Sequence, residues 1–152
     1  MRSLERIAGF SLVELVTVIA VLGVLAAVAV PRLTGTKQVY DSLGFYDGTK
    51  GILRYAQKSA IAKRRVVCVG FTATTVTLTF ASAAGSAVCD ANLIGPGGEN
   101  PYAITASSAV VYAPAPANFT FNTLGQPSIG QVITIAGGVT NITVNADTGY
   151  VQ

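Results

Sequence analysis

The chain has 152 residues, a formal net charge of +3 and no histidine. So small an excess of positive charge does not indicate a nucleic-acid partner. Without histidine the chain lacks the commonest general base and the commonest metal ligand, so no Ser/His or Cys/His catalytic pair exists. No phosphate-loop or dinucleotide-binding glycine spacing occurs. We therefore expect no enzyme and no cofactor. We also expect no metal, since the acids outside the helix, Asp90, Glu99 and Asp147, are far apart in sequence.

The first element along the chain is an apolar run from Phe10 to Val30 that carries one charge, Glu14, and stops at Pro31. As a helix it is about 31 Å long, close to the hydrocarbon thickness of a bilayer. A carboxylate within such a span costs about 2.5 kcal/mol or more unless it is paired. Glu14 is therefore a functional candidate, and we expect its partner to lie elsewhere.

The residues before this run, 1–9, are weakly basic, with Arg2 and Arg6 against Glu5. By the positive-inside rule this end stays in the cytoplasm, and the rest of the chain lies beyond the inner membrane. An ordinary secretory signal is the alternative, because Ala27-Val28-Ala29 has the form of a signal-peptidase site. Its apolar region, however, normally has about 7 to 15 residues and no acid. A plain anchor helix would leave Glu14 unexplained.

The motif Gly9-Phe10-Ser11-Leu12-Val13-Glu14-Leu15 and the apolar residues after it resemble the processing signal of type IV prepilins and type II secretion pseudopilins. The resemblance implies that a dedicated peptidase cuts after Gly9 and methylates the new amino terminus at Phe10. It also implies that Glu14 acts in assembly, and that Gly23 and Pro31 loosen the helix.

The same resemblance implies the partners and the location of the chain. The partners are other pilin or pseudopilin subunits, the prepilin peptidase and N-methyltransferase, and an inner-membrane assembly platform. The location is the bacterial inner membrane, crossed once, with the carboxyl-terminal domain in the periplasm and incorporation into a filament.

After Pro31 the pattern predicts that the helix continues and becomes amphipathic. Apolar side chains at helical spacing predict one buried face: Val39, Leu43, Tyr46, Leu53, Ala56 and Ala60. Charged residues mark the opposite face of the helix: Lys37, Asp41, Lys50, Arg54 and Lys58. The helix should end at the basic cluster Lys63-Arg64-Arg65, where positive charge favours the helix dipole.

From Val66 the pattern is that of strands. Strands are predicted at 66–71, 76–80, 109–112, 119–121, 131–135 and 141–144, with a hairpin connection at 72–75 and a long loop at 81–101. The prediction is an α+β fold in which a long helix packs on an antiparallel sheet or small β-sandwich. Its parts are a leader (1–9), a transmembrane segment (10–31), an amphipathic helix (32–65) and a globular β domain (66–152).

Two later segments, 53–71 and 133–151, resemble pseudopilin H of type II secretion and the FimT-type minor pilins of type IV pili. The ending Asp147-Thr148-Gly149-Tyr150-Val151 also resembles the C-type minor pilin of mannose-sensitive haemagglutinin pili. The implied function is a minor structural subunit acting in filament initiation, and so in protein secretion or pilus biogenesis. The alternative is a DNA-binding minor pilin for natural transformation, whose arginine-bearing carboxyl-terminal motif is replaced here by Gly149-Tyr150-Val151-Gln152.

In the DNA-binding alternative, a stripe of basic residues would contact the nucleic acid. It comprises Lys50, Arg54 and Lys58 at i, i+4 spacing, followed by Lys63, Arg64 and Arg65. An anion contact would fall on Lys58, Arg64 and Arg65, but a charge run on a helix is usually a solvated face. We expect the structural function and no nucleic-acid partner, because DNA binding needs many clustered phosphate contacts.

The chain has two cysteines, Cys68 and Cys89. On the periplasmic side of a membrane, which is oxidising, an even pair predicts a disulfide. The alternative is a pair of buried free thiols, since cysteine also serves as a small apolar residue.

Overall fold

A computed structural model describes residues 10–107, 110–137 and 140–152, except for the side chains of residues 30–36 within the helix. The predicted leader, with Gly9, lies outside the described residues. The described elements are one helix, α1 (Leu12–Lys63), and seven strands. The strands are β1 (Val67–Phe71), β2 (Thr75–Phe80), β3 (Ala91–Asn92), β4 (Ala103–Thr105), β5 (Phe119–Phe121), β6 (Gln131–Ile133) and β7 (Ile142–Val144).

The chain divides into two compact units, Met1–Lys37 and Gln38–Gln152. In the first unit, Leu12–Ala29 has a mean hydropathy of 2.6 over 18 residues and is long and apolar enough to cross a membrane. Every side chain of that window is exposed. Apolar side chains in water are unfavourable by roughly 25 cal/mol per Å², so this segment requires an apolar surrounding that the chain itself does not supply in the described residues.

The carboxyl-terminal unit, Gln38–Gln152, is built on an antiparallel sheet in the order β3-β2-β1-β5, with β4 also paired to β2. β1 and β2 form a hairpin in which Val67 pairs with Phe80 and Phe71 pairs with Val76. The turn closes where the Thr72 N–H donates to the Thr75 carbonyl at 2.8 Å. β6 and β7 form a separate two-stranded sheet.

Buried and less buried residues alternate along these strands, and the buried ones form one core with the helix. Val67 and Val69 of β1, and Phe119 and Phe121 of β5, are buried, whereas the residues between them are less so. They form a single apolar cluster with four fully buried helix residues, namely Ile52, Leu53, Ala56 and Ala60. The predicted α+β fold, a long helix packed on an antiparallel sheet, is thus confirmed.

The prediction of the buried helix face is wrong at the start of the amphipathic segment. Val39 and Leu43 are 53% and 42% exposed, whereas Ser42, Phe45 and Thr49 are buried. The hydrophobic pattern missed this face because two of its residues are small and polar, and their hydroxyls find partners. Ser42 Oγ donates to the Gln38 carbonyl at 3.0 Å, and Thr49 Oγ1 lies 2.9 Å from Tyr112 Oη.

Two strand predictions are also corrected. The predicted loop at 81–101 contains β3, and β4 follows it, because short segments there pair with the free edge of β2. The predicted strand at 109–112 is not formed in its described part, where Tyr112 makes only an isolated bridge to Ile135. Strands of two or three residues carry too short a pattern to be recognised in sequence.

Candidate functional site

Glu14 lies in the first turn of α1, where an acid interacts favourably with the positive end of the helix dipole. Phe10 precedes the helix and is 85% exposed. The backbone of the turn is regular: the Leu15 N–H donates to the Ser11 carbonyl at 3.1 Å, and Thr17 Oγ1 donates to the Glu14 carbonyl at 2.9 Å. The structure therefore presents the Glu14 side chain on the surface of an ordered helix.

The surroundings of Glu14 are apolar and exposed. Large apolar side chains, each at least 49% exposed, lie on both sides of it in the chain: Leu12, Val13, Leu15, Val16, Val18, Ile19, Val21 and Leu22. Within the described residues no ion pair involves the Glu14 carboxylate. A carboxylate on a surface that needs an apolar environment is costly unless it is paired.

The two residues expected to loosen the helix lie further along α1. Gly23 has open space where a side chain would start. Pro31 lies within the helical residues, but its side chain is among those that are not described.

The predicted disulfide is present between Cys68 and Cys89. It links β1 to the segment that leads into β3. Next to it, the Asp90 carboxylate accepts hydrogen bonds from the Ser82 hydroxyl at 2.6 Å and the Ser82 N–H at 2.8 Å. The hydrogen bond from the Ser82 hydroxyl, and to a smaller extent the one from the Ser82 N–H, hold the pKa of Asp90 below its ordinary value. The two links close the loop from Ser82 to Asp90 against the sheet.

Beside the disulfide, the outer face of the sheet forms an open groove of about 470 Å³. Its lining is hydroxyl-rich and includes Thr77, Thr79, Thr120 and Ser128. No charged side chain lines it, so the groove offers hydrogen bonds but no ionic anchor.

The basic stripe does not form one charged surface, because three of its members are engaged elsewhere. Arg54 donates from Nε and Nη2 to the Val151 carbonyl, at 3.1 and 2.9 Å. Lys50 Nζ lies 5.6 Å from the centroid of the Tyr46 ring, and Lys63 Nζ lies 5.1 Å from that of Phe80. Cations over aromatic rings are favourable contacts in their own right.

The three residues proposed for anion contact have different environments. Lys58 is exposed and lines a groove of about 360 Å³ with Arg54 and Tyr150. Arg64 is exposed beyond the end of the helix, whereas Arg65 is half-buried. The Nη1 atom of Arg65 is buried without a hydrogen-bond partner among the described residues.

Sequence reasoning missed Gln57, which anchors two loops to the helix. Its Nε2 donates to the Gly125 carbonyl at 3.1 Å and to the Thr148 carbonyl at 2.9 Å. Gly125 and Gly149 have positive φ, and a side chain at Gly149 would collide with the Gly125 carbonyl. The only sequence signal is an asparagine three or four residues before each glycine, which is typical of turns.

No group of three or more His, Cys, Asp or Glu that could hold a metal ion occurs within the described ranges. The described residues present three surface features: one carboxylate on an apolar helix, one hydroxyl-lined groove and dispersed cations.

A helix that begins with an exposed apolar half and packs its second half on an antiparallel sheet defines the pilin-like class of fold. Two solved structures share it, both of the type IV minor pilin FimU from Pseudomonas aeruginosa in different crystal forms. Their TM-scores are 0.52 and 0.50 at 13% sequence identity, over 74% and 72% of this chain and 87% and 90% of theirs. Neither a protein-family profile nor a curated protein matches the chain.

Proposed function

We propose that this protein is a minor pilin or pseudopilin, a structural subunit that enters a membrane-assembled filament. The observation that carries the proposal is the exposed apolar helix Leu12–Ala29 with Glu14 in its first turn, joined to a pilin-like fold. An apolar span explains the exposed side chains, and an assembly role explains the carboxylate. A plain membrane anchor would explain only the first.

The proposed function includes removal of residues 1–9 by cleavage after Gly9. Cleavage creates a positive amine on Phe10 at the membrane edge, four residues from Glu14. Within one helix these positions are neighbours and could pair. In a filament, Glu14 of one subunit instead meets the Phe10 amine of an adjacent one, which relieves two charges that are costly at low dielectric.

The test of this function is amino-terminal mass spectrometry of the protein extracted from membranes. The proposal predicts a mature chain that begins at Phe10 and carries one methyl group on its amine. A chain that begins at Val30, after Ala27-Val28-Ala29, would contradict it and indicate ordinary secretion.

We propose further that the subunit belongs with pseudopilin H, the FimT-type minor pilins or the C-type minor pilin of mannose-sensitive haemagglutinin pili. The resemblance of residues 53–71 and 133–151 supports this. DNA uptake is not favoured, because Gly149-Tyr150-Val151-Gln152 has no arginine and Arg54 is occupied by the Val151 carbonyl. Co-purification with the subunits of one secretion or pilus system would identify the system to which this subunit belongs.

A further inference from the structure

Gly70 lies within β1 and lines the open groove beside the disulfide, which we call the threonine groove. A glycine inside a strand weakens it, and it usually marks a bulge, a bend or the close approach of a ligand or another backbone. A bulge does not explain Gly70, because the pairing of β1 with β2 is unbroken from Val67 to Phe71. The backbone conformation does not explain it either, since Gly70 is not among the residues of positive φ.

The missing side chain of Gly70 leaves space in the threonine groove. Val67 and Val69 face the core, so the alternation of the strand directs Cys68 and Gly70 to the outer face. A β-carbon at Gly70 would have one neighbour within 4 Å, the Thr77 carbonyl at 3.8 Å, which is an ordinary van der Waals contact. The fold would therefore accept a larger residue here, and the glycine serves to keep the groove open.

Three threonine side chains surround this space. Thr77 pairs with Gly70, and Thr79 and Thr120 pair with Cys68 on its two sides. Paired side chains on one face of an antiparallel sheet lie about 4.5–5.5 Å apart. None of the three threonine hydroxyls makes a hydrogen bond within the described residues. Because threonine is stiff at χ1, these hydroxyls are held in place before any ligand arrives.

Two further side chains add hydrogen-bond donors to the threonine groove. Asn118 Oδ1 accepts a hydrogen bond from the Phe71 N–H at 2.7 Å, so its Nδ2 faces the groove side without a partner in the described residues. Ser128 Oγ accepts from the Thr120 N–H at 3.1 Å, which leaves the hydroxyl hydrogen of Ser128 available to donate. The groove thus presents both donors and acceptors, all of them uncharged.

We propose that the threonine groove binds a neutral saccharide chain. An ionic ligand would lose water there without gaining a counter-charge, because no charged side chain lines the groove. An apolar ligand would leave the hydroxyls desolvated and unpaired. An extended peptide would need a free strand edge, whereas β1 is paired on both sides. Sugar hydroxyls both donate and accept, as the hydroxyls of the groove do.

The size and shape of the threonine groove fit a segment of such a chain. Its volume of about 470 Å³ lies within the usual range of ligand sites. The groove is open, so a saccharide can continue beyond it at its ends. The site belongs to the carboxyl-terminal unit and makes no use of Glu14, so the proposal is independent of the proposed function.

The first experiment applies the full chain in detergent to a glycan array. The array carries neutral hexose oligomers, N-acetylhexosamine oligomers and acidic hexuronate oligomers, each displayed densely so that weak single sites are detected. We expect binding to a neutral set and none to the acidic set. Binding to the N-acetylhexosamine oligomers would indicate a cell-wall type of glycan, and binding to the hexose oligomers an unsubstituted polysaccharide.

The second experiment locates the site by titrating the bound neutral oligomer against variants. Gly70→Val fills the groove with a residue that suits a strand, so binding should be lost while the β-sheet signal in circular dichroism is retained. Thr120→Val keeps the shape but removes one hydroxyl and should weaken binding about two- to tenfold. Thr143→Val, the same change on β7 outside the groove, is the matched control and should bind like the wild type.

The proposal is overturned if no neutral oligomer binds, or if the acidic oligomers bind as well as the neutral ones. It is also overturned if Gly70→Val folds and still binds with wild-type affinity. Should Gly70→Val fail to fold, the comparison of Thr120→Val with Thr143→Val decides, because equal affinities would place the saccharide outside the threonine groove. The amino-terminal sequence of the mature chain tests the proposed function separately.

Discussion

Arg64 ends the helix in a backbone conformation that arginine rarely adopts. Its φ is 50°, in the left-handed region, where glycine is the usual residue. The Arg65 N–H donates to the Ala60 carbonyl and the Arg64 N–H to the Ile61 carbonyl, both at 3.2 Å, so the cap is a Schellman motif. The strain is local and leaves these hydrogen bonds intact.

We predict that Arg64→Gly stabilises the folded protein by about 1 kcal/mol, because glycine adopts positive φ without the steric cost that a side chain brings. Arg64→Ala is the matched control: it removes the charge but keeps the strain, and should not be stabilising. Urea unfolding of both variants in detergent checks this. Equal free energies of unfolding for the two variants would show that the backbone conformation is not the cause.

A second residue, Tyr112, is predicted to make stability fall at high pH. Burial raises its pKa to about 12, although its hydrogen bond with Thr49 lowers it in part. In the unfolded chain the pKa of tyrosine is about 10, so above that pH the unfolded state loses this proton first. Stability should therefore decline from about pH 10 to 12, by roughly 1 kcal/mol per pH unit from this residue.

Tyr112→Phe should reduce this decline between pH 8 and pH 11. Tyr40→Phe, the same substitution at an exposed position, is the control and should retain the wild-type decline. Unfolding free energies measured at the two pH values decide the matter. If the decline is unchanged in Tyr112→Phe, ionisation of this side chain does not limit alkaline stability.

At the scale of elements, the disulfide secures the least regular part of the sheet. The segment between Cys68 and Cys89 includes β2 and the loop that leads to β3, a strand of two residues. Replacing both cysteines with serine should lower the free energy of unfolding by roughly 3 kcal/mol, since the bridge closes a loop of 21 residues. Two alkylatable thiols in the unfolded, unreduced wild type would contradict the bridge.

The elements differ in how far the sequence could predict them. The β1–β2 hairpin and β5 were predictable because branched and aromatic residues alternate there over a clear length. β3 and β4 were not, since each exists only through pairing with the edge of β2. The buried helix face was predicted in part, since Ala56 and Ala60 follow the apolar period. Thr49 is buried through a hydrogen bond with Tyr112 that only the tertiary structure creates, and the Ser42 hydroxyl is satisfied by the Gln38 carbonyl of its own helix.

The candidate site shows the same division. Glu14 could be singled out from the sequence because it is the only charged residue in the apolar run, and its function in assembly stays a prediction. Gln57 was not, because its function depends on two loops that are about seventy and ninety residues away in sequence. Arg54 was assigned to a basic surface, whereas its main partner is the Val151 carbonyl, a contact that charge patterns cannot show.

At the scale of the whole molecule, the two units present different surfaces. The carboxyl-terminal unit buries its own core, with Ile52 and Leu53 fully enclosed. The window Leu12–Ala29 buries none of its side chains and presents one carboxylate near its start. We therefore expect assembly to depend on Glu14 and folding of the carboxyl-terminal unit not to.

The central measurement is incorporation of Glu14→Ala into the filament or its initiating complex, followed by co-purification or crosslinking with partner pilins. We predict that membrane insertion, cleavage after Gly9 and the β-sheet signal in circular dichroism are unchanged, while incorporation is lost. Glu14→Gln should fail in the same way, because it keeps the size but not the charge, whereas Thr17→Val in the next turn should assemble normally. Wild-type incorporation of Glu14→Ala would contradict the proposed pairing between subunits.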